Sequence, residues 1–182
     1  MDKSVQTKLL DINRAFYNHF AGSFSETRGH VQPGVQRLVN RLDLKSKVLD
    51  IGCGNGSLAR ALKVRNFCGF YLGADMSISL LSKAEQLLGE QPNSFYQFCL
   101  VDLATLNWKD IIPPKSYDWI VAFAVLHHLP GDEFRKKIVQ DIKCMLAPTG
   151  QVAISVWQWQ NSLRLRKRVL PWFTVGLHPQ EV

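Results

Sequence analysis

Three glycines within five residues set the chemistry of this chain. Gly52, Gly54 and Gly56 follow the run Val48-Leu49-Asp50-Ile51. Glycine lets the backbone turn sharply and lets a ligand lie against bare main chain. A buried strand running into such a turn, with a helix starting at about Ser57, places a nucleoside-type ligand at the end of a parallel sheet. A dinucleotide fingerprint, G-x-G-x-x-G, would want glycine at position 57, where this chain has Ser57. The next acid after an apolar run is Asp75, which closes Phe70–Asp75 and lies 19 residues past Gly56. A carboxylate at the end of a second strand can accept both ribose hydroxyls. Together these residues describe an adenosine with a free ribose and a 5′ substituent other than a pyrophosphate. S-adenosylmethionine fits that description.

The elements that must hold these residues follow from periodicity. Residues 4–20 read as a helix. Val35, Leu38, Val39 and Leu42 recur at helical spacing before the first strand. Ile78, Leu81 and Leu88 line a helix after Asp75, opened by Ser77 as N-cap. Phe134, Ile138, Ile142 and Met145 line another between the fourth and fifth strands. Helices alternating with apolar strands predict an α/β fold, a Rossmann-like and mostly parallel sheet with helices on both faces. Ligands then sit beyond the carboxyl ends of the strands, where Asp75, Asp102 and Phe123 fall.

Val48–Gly56 resembles the first motif of the class I S-adenosylmethionine-dependent methyltransferases. Asp75 falls at that family's ribose-binding acid. Asp102-Leu103, after Phe95–Val101, resembles the adenine-edge motif. Ser116–Phe123 resembles the fourth strand, and Leu146–Gly150 with Gln151–Trp157 resembles the turn and fifth strand. The ordered set covers roughly residues 45–157. The resemblance implies a cofactor site made by Asp50, Gly52, Cys53, Gly54, Asn55, Gly56, Asp75, Met76, Asp102, Leu103 and Phe123. Bland readings stand beside it: Asp50 as scaffold for the turn, Asp102 as a helix cap, Cys53 as a small filler.

The N-terminal segment narrows the resemblance. Phe16–Arg28, with its Phe24-Ser25-Glu26-Thr27-Arg28 run, is similar to the opening of the tRNA wobble-uridine carboxymethyl methyltransferases, related to the domain fused to AlkB-type dioxygenases. Ala124-Val125-Leu126-His127-His128-Leu129 and Trp157 match the same family. The match implies tRNA as substrate, Tyr17 as a lid over the cofactor, and Arg28 against the cofactor's methionine carboxylate or an anionic substrate. Tyr17 as a core aromatic and Arg28 paired with a surface acid are the alternatives.

Composition agrees. The 182 residues suffice for one core, and 46% hydrophobic with 20% charged residues is ordinary for a globular domain. No run approaches a membrane span, and no signal-type segment opens the chain, so a cytoplasmic location and no membrane partner are expected. Cys53, Cys68, Cys99 and Cys144 form no C-x-x-C pair, which favours reduced thiols over a disulfide frame or a metal site. From Phe134 to Val182 there are eight Lys or Arg against two acids, densest at Arg164, Arg166, Lys167 and Arg168. That patch reads as phosphate-contacting, or as a solvated helix face. Three regions are expected: a helical cap over residues 1–44, a cofactor-binding core over 45–157 and a basic segment over 158–182. The family's sheet has two further strands after the fifth, so those strands are expected to be missing or shortened here.

Methyl transfer from a sulfonium is an in-line displacement, and a carboxylate acceptor is already ionised at pH 7, so no general base is needed. For a hydroxyl or amine acceptor, His127 or His128 would be the base. The alternatives left open are a small-molecule O-, C- or N-methyltransferase and a non-catalytic cofactor-binding or interaction module. The acceptor atom, the oligomeric state and the need for an activating protein subunit are also open.

Overall fold

The computed structural model describes residues 1–26, 32–89, 95–113 and 116–182, without the side chains of residues 18 and 20–26. Five strands form one sheet: β1 (Lys47–Ile51), β2 (Phe70–Asp75), β3 (Tyr96–Leu100), β4 (Tyr117–Phe123) and β5 (Leu146–Ser155). Their spatial order is β3-β2-β1-β4-β5, and every neighbouring pair is parallel. The order reverses at β1, the place where doubly wound sheets open a crevice for ligands.

The two faces of β1 show why Val48, Leu49 and Ile51 are apolar. Leu49 and Ile51 face one core with Leu72, Ala74, Ile120 and Ala122, covered by Ile138, Ile142 and Met145 of α5 (Asp132–Met145). Val48 faces the other with Tyr71 and Val121, covered by α2 (Pro33–Arg41) and α3 (Ser57–Val64) through Leu38, Val39, Leu58 and Leu62. A strand covered on both sides has no wet face to leave polar. The sheet is therefore Rossmann-like with helices on both faces, as the alternation of elements predicted.

The helix starts follow local chemistry. α4 (Ile78–Leu88) is capped by Ser77, whose hydroxyl accepts from Leu80 N at 3.4 Å. α5 begins with Asp132 and Glu133, which suits the positive end of its dipole. α1 (Lys3–Glu26) runs past the predicted end at residue 20. Between the fourth and fifth strands the turn expected at Leu146–Gly150 is instead part of β5. Tyr117 pairs with Leu146, and Trp119 then pairs with Gln151. Residues 147–150 bulge opposite the single Asp118, because Pro148 has no N–H to give the ladder. β5 also stops at Ser155, so Trp157 lies beyond the strand.

After β5 the chain forms a 3₁₀ turn (Trp159–Asn161), the four-residue α6 (Leu163–Arg166) and a second 3₁₀ turn (Trp172–Val175). Among the described residues no strand follows β5, and no helix is long and apolar enough to cross a membrane.

Candidate functional site

The glycine turn after β1 is stitched to the end of β2. Gly52 N and Cys53 N both donate to Ala74 O, at 2.7 and 3.1 Å, and Gly54 N donates to Asp75 Oδ2 at 2.9 Å. Gly52 has φ +68°, and a Cβ there would stand 2.4 Å from Val125 Cγ2. Only glycine serves at that position: the backbone is left-handed and the space is taken. Gly56, at φ +72°, would put a Cβ 2.9 Å from Ala84 of α4. It packs the turn against that helix.

Three carboxylates ring the turn, each held differently. Asp50 is buried and accepts a hydrogen bond from Tyr71 Oη at 2.7 Å. Burial raises its pKa to about 7, against the opposing effect of that bond; nearby Asp75 adds a smaller upward push. Asp75 accepts from Gly54 N on Oδ2 and from Ser77 N on Oδ1, at 2.9 Å each. Burial raises its pKa too, opposed by these backbone donors. Met76 N–H bonds this carboxylate as well, and of the about four lone pairs a carboxylate offers, one is left for a ligand. Asp102 accepts from Ala104 N on Oδ1 at 2.8 Å. Its Oδ2 receives both Arg14 Nε, at 2.9 Å, and Arg14 Nη2, at 2.7 Å.

Arg14 belongs to α1, which crosses the mouth of the crevice. Asn13 Nδ2 donates to His128 O at 2.7 Å, and Tyr17 Oη and His128 Nε2 share a hydrogen bond of 2.7 Å. His128 lies in a 3₁₀ turn, Leu126–His128, just past β4. Ala124 enters that turn at φ +57°, a left-handed conformation that a residue with a Cβ rarely adopts. Its N–H is held by Ser155 O at 2.9 Å and lies 3.1 Å from Ser155 Oγ. Such a kink beside a cavity is the kind of local strain that functional sites retain.

These groups enclose a cavity of about 250 Å³. Tyr17, Asp50, Gly52, Cys53, Gly54, Asn55, Asp75, Met76, Asp102, Leu103, Phe123 and His128 all line it. Gly56 does not, for the packing reason given above. His127 does not either: its ring stacks 5.5 Å from Trp157 and lines a neighbouring groove under the first turns of α1. Arg28 lies outside the described residues. Asn13, Arg14 and Ser155 line the cavity without having been singled out in the sequence, and Ala124, named there only within the Ala124–Leu129 motif, lines it too. Arg164, Arg166, Lys167 and Arg168 are all exposed on and just after α6.

Comparison with known proteins places this arrangement. A tRNA (carboxymethyluridine(34)-5-O)-methyltransferase of Arabidopsis thaliana is 30% identical over 78% of the chain and 31% of its own length. The protein of that name from Saccharomyces cerevisiae is 28% identical over 78% of the chain and 46% of its own length. The chain thus spans about a third to a half of those relatives. Among solved structures, a chain from the complex of the Haloferax volcanii Trm112 methyltransferase activator with a methyltransferase superposes with a TM-score of 0.64. It is 16% identical and covers 84% of this chain and 65% of that one. Phosphoethanolamine N-methyltransferase 1 of Haemonchus contortus gives 0.62 at 15% identity, over 86% of this chain and 33% of its own. Both share the fold. The methyltransferase domain family matches residues 24–180, from the end of α1 to the last turn, and the chain belongs to that family.

Proposed function

We propose that this chain is an S-adenosylmethionine-dependent methyltransferase that esterifies the carboxymethyl group of a wobble-position uridine in tRNA. The observation that carries the cofactor reading is the ring of differently held acceptors around a bare glycine backbone. Asp75, at the end of β2, keeps an acceptor position for the ribose hydroxyls. Asp102 and Leu103 meet the adenine edge. Gly52, Cys53, Gly54 and Asn55 offer main chain to the amino-acid end, and Met76 and Phe123 supply apolar walls. Asp50 lines the cavity at that end too, as a hydrogen-bond partner for an ammonium group. The donor set fits the cofactor. When bound, S-adenosylmethionine supplies an electrophilic methyl and a neutral thioether as leaving group.

This chain's own residues then have modest work. Tyr17 and Asn13 hold α1 over the mouth and limit the entry of water. Phe123, Ala124 and Ser155 form the wall at the end of β4 and β5 where an acceptor would lie. A carboxylate acceptor needs no base at pH 7, and positioning carries the rate. For that acceptor His128 is a structural partner of Tyr17, with no proton to take. The activity for which the relatives are named supplies the substrate class. Residues 142–180 contain no acid, and their five Lys or Arg suit a polyanion. An activating protein subunit, of the kind named in the archaeal complex, is a further partner we propose. The four free thiols suit a reducing cytoplasmic compartment.

The test is transfer of labelled methyl from the cofactor to tRNA bearing carboxymethyluridine, with and without an activating subunit. Label is expected in tRNA alone, and mild alkali should release it as an ester demands. Binding of that tRNA should weaken steeply with salt. Label entering a small-molecule fraction instead, or staying in tRNA after alkali, would reject the assignment.

A further inference from the structure

We propose that Arg14 is a positioning residue that sets the base specificity of the cavity, by occupying one oxygen of Asp102 and leaving the other as the acceptor for an exocyclic amine. The inference rests on the reading of the cavity as an adenosine site. Its basis is the way the guanidinium meets the carboxylate. A side-on fork would engage both oxygens of Asp102 and close them to a ligand. Here Nε and Nη2 converge on Oδ2 alone, at 2.9 and 2.7 Å. Two donors fill the two lone pairs of that oxygen. Oδ1 takes one bond, from Ala104 N at 2.8 Å, and keeps one lone pair.

The backbone around Asp102 is fixed as well. Thr105 donates to Asp102 O through both its N–H and its hydroxyl, at 3.1 and 2.8 Å, and Val101 N donates to Asp75 O at 2.9 Å. One acceptor site on a fixed carboxylate favours a base edge that donates. Adenine presents an amine there; hypoxanthine presents a carbonyl, which meets the same oxygen lone pair to lone pair. Arg14 is the one Lys or Arg among the described residues lining the cavity. Its remaining arm, Nη1, reaches outward to Asp11 Oδ1 at 2.7 Å. The Asp102 side chain is 27% exposed. Without the guanidinium, one turn bond would be left to hold it against the pull of water.

The experiment measures the affinities of S-adenosylhomocysteine and S-inosylhomocysteine by calorimetry, for the wild type, Arg14→Met and Asp11→Asn. The wild type should prefer the adenosyl compound by about tenfold or more, the scale of a hydrogen bond to a charged group. In Arg14→Met that preference should fall to about threefold or less, chiefly through weaker adenosyl binding. Asp11→Asn removes the outer partner's charge and should leave the preference as it is. If Arg14→Met weakens both compounds equally, or keeps the preference, Arg14 merely supports the helix and the inference fails. A loss of preference in Asp11→Asn would also overturn it, since the effect would then belong to α1. A wild type that binds neither compound defeats the cofactor reading itself, a separate and recognisable failure.

Discussion

Asp50 is a residue whose surroundings set it far from its behaviour in water. It sits on the same face of β1 as Val48, beside Tyr71 of β2, and is fully enclosed. Burial lifts its pKa to about 7, from an ordinary value near 3.8. The folded protein therefore holds a proton that the unfolded chain has released. The stability this confers is fully present below about pH 4 and is lost as pH rises through 7. Tyr71 and Asp75 face Asp50 and shape that titration. The Asp50→Asn variant keeps an acceptor for Tyr71 and removes the titration. Thermal melts of both proteins from pH 5 to pH 8 should show the wild type losing about 5 °C relative to the variant. A pH-independent gap would mean that Asp50 is ionised throughout. Residues such as this one are half legible in the sequence. The position of Asp50 before the glycines marks it for the site; its proton comes from burial under residues far along the chain, against the pull of Tyr71, 21 residues away.

Among the elements, α1 stands apart in how it is attached. Of its described side chains only Val5 is buried. Leu9 and Leu10 are half-buried and the Tyr17 ring meets His128 edge-on; the helix is further tied by polar contacts: Gln6 to Pro130 O at 3.1 Å, Asn13 to His128 O, Arg14 to Asp102, Tyr17 to His128, and Lys8 to Gly176 O at 3.2 Å. Hydrogen bonds of this kind contribute about 0.5–1.5 kcal/mol each, much less than a packed apolar face. Helix 1 should thus open well below the global unfolding energy. Hydrogen exchange over residues 3–17 is expected at least tenfold faster than over β1 and β4, and slower once S-adenosylhomocysteine is added. Equal protection of the helix and the strands would refute this. The same contrast explains what the sequence disclosed. The strands, the glycine turn, Asp75 and Phe123 are fixed by local apolar runs and their ends, so pattern alone located them. Asn13 and Arg14 find partners 115 and 88 residues away, which no window of periodicity reaches. His128 lines both the central cavity and the neighbouring groove, whereas His127 lines only the groove, and Gly56 spends its missing Cβ on Ala84. The bulge before Gln151 was hidden because Pro148 and Gly150 read equally well as a turn.

Across the whole molecule the sheet is unevenly covered. Its centre is sealed on both sides, with Leu49, Val48 and Ile120 wholly buried. β5 is the last strand in the order, and its side chains Val152 and Ile154 are 40% and 43% exposed. Just beyond it Val156 and Trp157 are about half exposed. An outer strand with apolar side chains and unpaired main-chain groups is a template for another strand. Light scattering of the purified chain should therefore rise with concentration, and Ile154→Lys should suppress the rise while leaving cofactor affinity within about twofold. No change on that substitution would move the blame to another surface. The practical consequence reaches every assay above: crowded samples will pair rim to rim, and a weak titration signal in them would measure protein lost to clumps rather than ligand refused by the crevice.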